Sequence, residues 1–296
     1  TQSAALTANR LSLNGTGTFT LQNSANNVGT IAGGDTTTRL GNVSYRDANA
    51  LEIGSINTDG IFSSGTILIE TETENLTLSE NINTTSNSDD AIILNAGRTA
   101  AAGTATGGDI IVSGAPTLTY GSGGRAKLFS GSASNSTGLT TLVGGDTNVR
   151  GGFDESSTIS PAMADDNSYA IYRQADGAGD LHIVASGGDA INTTWRFELN
   201  QIITTNATVK VNASVVENYL ASNDLALIAG NIIVEEEVVS SSSTALILKA
   251  KGAITVNSNQ KIQTNNGDVI LWADADADNE GRIAIGNGVI FNTVNG

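Results

Sequence analysis

Apolar residues recur along this chain mostly with a period of two, in short bursts. Ile67 and Ile69, Leu76 and Leu78, Ile92 and Leu94, Ile110 and Val112, Ile232 and Val234, Leu246 and Leu248, Ile254 and Val256, Val269 and Leu271, and Ile283 and Ile285 all alternate with polar or small neighbours. Alternation places such residues on one side of an extended strand, whereas a helix would space them by three and four. The pattern predicts strands of about three to five residues. Gly, Asn, Asp and Ser fill the intervals and supply the positive φ angles and side-chain-to-backbone bonds that repeated tight corners need.

Self-similarity at a distance separates a solenoid from a sandwich. The stretch NLTLSENINTTSNSDDAIILNAG at 75–97 aligns with NIIVEEEVVSSSSTALILKAKG at 231–252. Each runs from an Asn through an alternating strand, a polar or acidic stretch, a second short strand and a Ser/Thr/Asn run into a third strand. Units this narrow cannot bury an apolar side alone; stacked, they form one continuous aliphatic column. The expected fold is all-β, a parallel β-helix with coils of about 20 to 25 residues, each pairing with the coil above at about 4.8 Å. A narrow interior favours branched aliphatics and Ala, so the few aromatics are expected at ends, in insertions or outside.

Two stretches break the pattern. Residues 114–180 contain both prolines and the single Met, with poor alternation, and read as an elaborated coil or projecting loop. Residues 213–230 open with Ser214-x-x-Glu217, a capping-box spacing followed by Val216, Leu220 and Ala221, which predicts one short helix against the side of the solenoid. The resulting organisation is 1–113 coils, 114–180 irregular insertion and 181–296 coils, all in one continuous solenoid.

Charge and composition narrow the function classes. The chain has 296 residues, net charge −16, no Cys and one His. Without cysteine there is no disulfide framework, thiol nucleophile or thiolate metal site. The acidic surface repels phosphates and anionic lipid heads, so neither nucleic acid nor membrane insertion is expected. No apolar run reaches the ~18 residues of a membrane span, and the N-terminal residues lack a signal-like pattern, so any signal would lie upstream or have been removed.

With these strands in hand, the chain resembles the large repetitive exoproteins of Gram-negative bacteria, the filamentous-haemagglutinin-like adhesins of two-partner secretion. The resemblance is carried by LEIGSINTDGI (51–61), LTLSENINT (76–84), AIILNAG (91–97), LIAGNIIVEEEV (227–238) and ALILKAKGAITVNSNQKIQTNNGDVILWADADADNEGRIAIG (245–286). Residues 127–143 and 167–174 are similar to a stretch found in members with MBG or YDG modules, and 195–209 to the way such chains re-enter the helix. The resemblance implies a right-handed parallel β-helix, export to the cell surface and a part in adhesion or surface structure. The amino-terminal secretion domain of that family is not identifiable, so the chain reads as an internal section of a longer rod or as a processed repeating subunit.

The most pointed local motif is DADADNEG, with Asp274, Asp276, Asp278 and Glu280 at alternate positions before Gly281. Oxygen ligands so spaced can wrap Ca²⁺ in a turning loop, although the twelve-residue EF-hand pattern fails at Asn279 and Ile285. The competing reading is a solvated acidic corner. Glu70, Glu72 and Glu74, Asp89 with Asp90, Asp165 with Asp166, and Glu235 to Glu237 read as outer carboxylates that keep edges soluble. Asn-x-Ser/Thr triplets at Asn14, Asn42, Asn75, Asn83, Asn135, Asn192, Asn206 and Asn212 fit Asn ladders at coil corners, with glycosylation as the alternative.

A carbohydrate-active enzyme is the contrasting class. It needs two acids about 5 to 10 Å apart in a groove with aromatic platforms. Glu155, Asp165, Asp166, Arg150, Arg173 and Arg196 are the nearest material, with Phe153, Tyr169, Tyr172 and Trp195 as platforms. His182, set among apolar residues in DLHIVAS, reads as a strand residue. The GGD triplets at 33, 107, 144 and 187 lack the trailing residues of a phosphate loop and read as turns. The sequence therefore points to a non-enzymatic, secreted structural or adhesive rod. Its expected partners are host or neighbouring-cell surfaces or glycans, and copies of itself stacked head to tail.

Overall fold

The computed structural model describes residues 2–145, 148–159, 162–174, 177, 179–189, 195–198 (backbone only), 200–204, 208–275 and 280–293. The described chain is mostly β, with parallel sheets and two short helices, and it divides into two compact units, Thr1–Gln174 and Ala175–Gly296.

In the first unit, Phe19–Leu21, Val43–Asp47, Ile67–Thr71, Ile92–Asn95 and Ala126–Ser130 pair side by side in parallel. Phe19 lies beside Val43, Val43 beside Ile67, Ile67 beside Ile92 and Ile92 beside Ala126. Each early step advances the chain by about 24 residues, the circuit length that narrow stacked repeats require. The last step is longer because residues 97–109 leave the sheet as turns. A second, eight-stranded sheet curls around Asn27–Gly33: Thr30 and Ile31 face Glu52 and Ile53, while Gly33 faces Ile61. Leu51–Ile53, Leu76–Leu78 and Ile110–Val112 extend from one part of that strand, and Ile61–Ser63, Ile82–Thr84 and Leu118–Thr119 from the other.

The second unit repeats the plan with three sheets. One runs from Gln201–Thr204 through Leu225–Ala229 and Leu246–Ala250 to Val269–Trp272. Another joins Leu181–Val184, Ile232–Val234, Ala253–Val256 and Arg282–Ile285, and the third Val238–Val239, Lys261–Gln263 and Ile290–Asn292. Trp195–Glu198 with Gln201–Thr204 is the antiparallel exception.

Alternation decides which side chains enter the core. Ile67 and Ile69, Ile92 and Leu94, and Ala126 and Leu128 are fully buried in the first unit, as are Leu225, Leu227, Leu246 and Leu248 in the second. Each such Ile or Leu contributes about 1.5–3 kcal/mol relative to exposure. Corners require glycine where backbones nearly touch: at Gly97, φ is 73°, and a Cβ would lie 1.8 Å from the Gly107 carbonyl oxygen.

Several expectations are corrected. Two helices form, not one: Leu139–Leu142 joins the expected Ala213–Leu220. The capping box does not close, because Asn212 is the N-cap without a side-chain bond, and the Glu217 carboxylate instead accepts the Val239 N–H at 2.8 Å. Tyr45, in the first run of coils, lies inside the core and not at an end, in an insertion or outside, since a buried Tyr is tolerated where its hydroxyl finds a partner. Tyr45 donates to Asp47 Oδ2 at 2.6 Å, and burial together with that carboxylate pushes the phenol pKa up. Apart from these corrections, the 114–180 stretch holds Ala126–Ser130, Ser168–Tyr172 and Val149–Gly151, which join the seven-stranded sheet. Ser168–Tyr172 slots between the two strands that precede it in sequence, an order that alternation cannot reveal.

Candidate functional site

The loop after Val269–Trp272 carries the acidic motif. Asp274 adopts φ 59°, and Ala275 N–H donates to the Ala250 carbonyl at 2.9 Å, so the start of the loop is tied to the preceding strand. Glu280 is exposed and lines a groove of about 500 Å³ together with Lys251 and Arg282. Asp276 and Asp278 lie outside the described residues. Among the described residues, no group of three or more His, Asp or Glu side chains is placed to hold a metal.

The acids of the irregular segment are dispersed. Asp165 pairs with Arg125, which also reaches Asp89 at 3.3 Å. Asp166, at φ 58°, accepts the Gly123 N–H at 2.7 Å. Asp154 accepts the Ala102 N–H at 2.9 Å and the Ser156 and Ser157 hydroxyls at 2.7 and 2.8 Å. Burial opposes the effect, but these bonds hold the Asp154 carboxyl at about 2. Glu155 is exposed.

The basic and aromatic residues of the segment are largely withdrawn from solvent. Arg150 lies over the Tyr169 ring at 4.9 Å, donates to the Val149 carbonyl and is 2% exposed. Tyr169 and Tyr172 are buried, so neither offers an open platform for a sugar. The side chains of Trp195 and Arg196 lie outside the described residues. A groove of about 570 Å³ beside the Leu139–Leu142 helix is lined by Val112, Pro116, Leu118, Thr141 and Leu142 among others, and no titratable side chain among the described residues lines it.

The most interior charge was not foreseen. Arg173 is 0% exposed and donates from Nη2 to the Gly108 carbonyl at 2.9 Å, while Nε and Nη1 have no partner among the described residues. Burial lowers its pKa against the pull of Asp109, Glu155 and Asp154. Asp109 is itself buried and accepts the Ser132 N–H at 2.7 Å. Nothing in the alternation marks Arg173, which directly follows a strand of the irregular segment.

What recurs is a set of side-chain staples between successive strands. The Oδ1 atoms of Asn42, Asn75, Asn81 and Asn231 accept the N–H groups of Thr66, Asp109, Thr117 and Ala253 at 3.0, 2.9, 2.8 and 2.7 Å. Asn212 does the same for Gly188 at 2.9 Å. Thus the triplet residues Asn42, Asn75 and Asn212 are engaged at corners, and Asn83 accepts Arg39 Nη1 at 2.8 Å. Asn14 and Asn135 are exposed, and Asn192 and Asn206 lie outside the described residues.

Charged pairs run across strands too. Glu70, expected to be solvated, is 6% exposed between Arg98 at 3.0 Å and Arg46 at 3.7 Å. Asp90 stays exposed with Lys127 at 2.5 Å. His182 Nδ1 lies 2.5 Å from Glu235 Oε1 on the strand Leu181–Val184. The chemistry these arrangements provide is cross-strand stapling.

No family model, curated protein or solved structure matches this chain.

Proposed function

We propose that this chain is a section of a right-handed parallel β-helix that serves outside the cell as a structural or adhesive shaft. The observation that carries the reading is the in-register stacking of Val43, Ile67, Ile92 and Ala126 in one unit and of Leu225, Leu246 and Val269 in the other. Stiffness follows from parallel ladders whose corners are stapled by Asn side chains. The filamentous-haemagglutinin resemblance supports the same reading and adds export and a host or neighbouring-cell surface, or its glycans, as partner. Dispersal of Asp154, Asp165 and Asp166 onto separate backbone and side-chain partners favours display over hydrolysis.

Fluorescently labelled protein incubated with cells and with a glycan panel is expected to bind saturably and to leave acidic and neutral polysaccharides at their original length. Shortened polysaccharide products would replace this reading with a carbohydrate-active enzyme. Calcium held by Asp274, Asp276, Asp278 and Glu280 belongs to the same proposal: added calcium should raise the melting temperature and a chelator should reverse the rise.

A further inference from the structure

The outward side of the seven-stranded sheet closes over two polar side chains that the shaft reading does not use. Asn95 stands in register between Glu70 and Phe129, on an outward row, yet it is 1% exposed, and neither its Oδ1 nor its Nδ2 has a partner among the described residues. Arg173 continues the outward alternation of Tyr169 and Ile171. It is 0% exposed, and its Nε and Nη1 have no hydrogen-bond partner among the described residues. Nη2 donates to the Gly108 carbonyl and lies 3.0 Å from where a Cβ on Gly97 would stand. Gly97 and Gly108 flank the turn at 97–109, so that turn encloses the guanidinium.

A charged group shut away from water with donors unmade works against the closed arrangement, and hydration on opening relieves it. The middle of the turn is exposed at Ala101, Ala102 and Gly103. It is held by the Ala102 N–H, which donates to Asp154 Oδ2 at 2.9 Å, and by the Gly103 N–H, which donates to the Arg173 carbonyl at 2.6 Å. Asp154 in turn accepts the Ser156 and Ser157 hydroxyls, and Phe153 packs over the outward apolar cluster, so the segment at 153–157 and the turn share one tether. Gly97 at φ 73° and Gly108 at φ 133° stand where the turn leaves and rejoins the sheet, and such residues absorb the backbone rotation of a hinge.

We propose that the turn at 97–109 and the segment at 153–157, joined through Asp154, form one cover that opens and closes over Arg173 and Asn95 on Gly97 and Gly108 as hinges. Opening admits water to both side chains and adds a cation to the surface of a chain whose net charge is −16. The device goes beyond the shaft reading and stands without it. The Gly108 carbonyl also accepts the Gly131 N–H at 2.9 Å, so it keeps a donor when the guanidinium is removed.

Amide hydrogen exchange at Ala102 and Gly103, followed by nuclear magnetic resonance, reads the opening. Arg173→Met removes the charge and keeps an unbranched apolar side chain, so it should slow both amides about tenfold, because the closed cover then holds no unpaired cation. A guanidinium that merely props the turn predicts the opposite, and unchanged or faster exchange in Arg173→Met overturns the proposal. Asp154→Ala should speed exchange about tenfold at Gly103, whose own acceptor, the Arg173 carbonyl, the substitution leaves in place. Unchanged exchange there means that the two segments move separately, and the single cover falls. Unaltered protection at Leu94 and Leu128 confirms that each variant keeps the sheet. Where Arg173→Met does not fold, Asn95→Leu decides: exchange slowed about threefold at Ala102 and Gly103 supports the cover, and unchanged or faster exchange overturns it.

Discussion

In the first unit, the outward side of the seven-stranded sheet carries Ile93, Phe129, Tyr169 and Ile171, and Phe153, Ile159 and Met163 from the irregular segment pack over them. In the second unit, the outward positions of the corresponding sheet include Ile247, Ile270 and Trp272, and the last two remain 43% and 50% exposed. Both interiors are alike, with aliphatic side chains in register and corners stapled by Asn. A parallel sheet is stable with apolar residues on both sides only where something covers the outer one. The irregular segment is therefore part of the packing of the first unit, and the difference between the units lies in what is laid on the outside of a common interior.

The strongest test of the shared interior is truncation within it. Leu94→Ala in the first unit and Leu248→Ala in the second should each cost about 3 kcal/mol, measured by urea unfolding, since each removes a fully buried Leu from a column. A loss below about 1 kcal/mol at either position would break the equivalence.

Outside the column the units should part. Phe129→Ala, at a position 3% exposed beneath the covering segment, should destabilise by about 3 kcal/mol. Trp272→Ala, half exposed beside Lys249 with its ammonium 4.5 Å from the ring centroid, should cost under about 1 kcal/mol. Equal costs would mean that the covering segment contributes nothing.

Removing a staple should have a smaller, local effect. Asn75→Ala and Asn231→Ala each leave a backbone N–H without its side-chain acceptor, at about 1 kcal/mol. Hydrogen exchange should quicken at Asp109 and Ala253 respectively, and unchanged protection would remove the stapling role.

The smallest effect is one of pH and belongs to the first unit alone. The Asp154 carboxyl is held at about 2 in the folded chain against an ordinary 3.8, so its contribution is complete above about pH 3.8 and is lost as pH falls toward 2. An acid-stable protease should cut the turn at 154–157 faster across that window, and Asp154→Asn should remove the pH dependence.

Much of the interior was legible, because burial on one side of a strand leaves a period-two trace: Ile67 and Ile69, Leu246 and Leu248 and their kin all point inward. The Asn staples were half legible. The two aligned repeats open with Asn75 and Asn231, and both do the same job, yet only the pairing reveals which N–H each one serves. Arg173 and Asp109 were hidden, since their burial depends on turns at 97–109 and 131–136 whose course no local pattern fixes. Strand order in the irregular segment was hidden for the same reason: Ser168–Tyr172 enters between Ala126–Ser130 and Val149–Gly151 through contacts far apart in sequence. The acidic motif shows the opposite failure. Its spacing was conspicuous, but alternate carboxylates alone do not say that Glu280 would sit with Lys251 and Arg282.

The central claim is that successive circuits of the chain stack in register. Thr20, Ser44, Leu68, Ile93 and Lys127 form one outward row across five neighbouring strands. The chain has no cysteine, so Thr20→Cys and Lys127→Cys accept spin labels without background. Four strand spacings of about 4.8 Å place the labels about 20 Å apart. A narrow distance distribution centred there by pulsed electron paramagnetic resonance is the predicted result; a centre beyond about 35 Å, or a flat spread, would contradict the stacking on which the whole account depends.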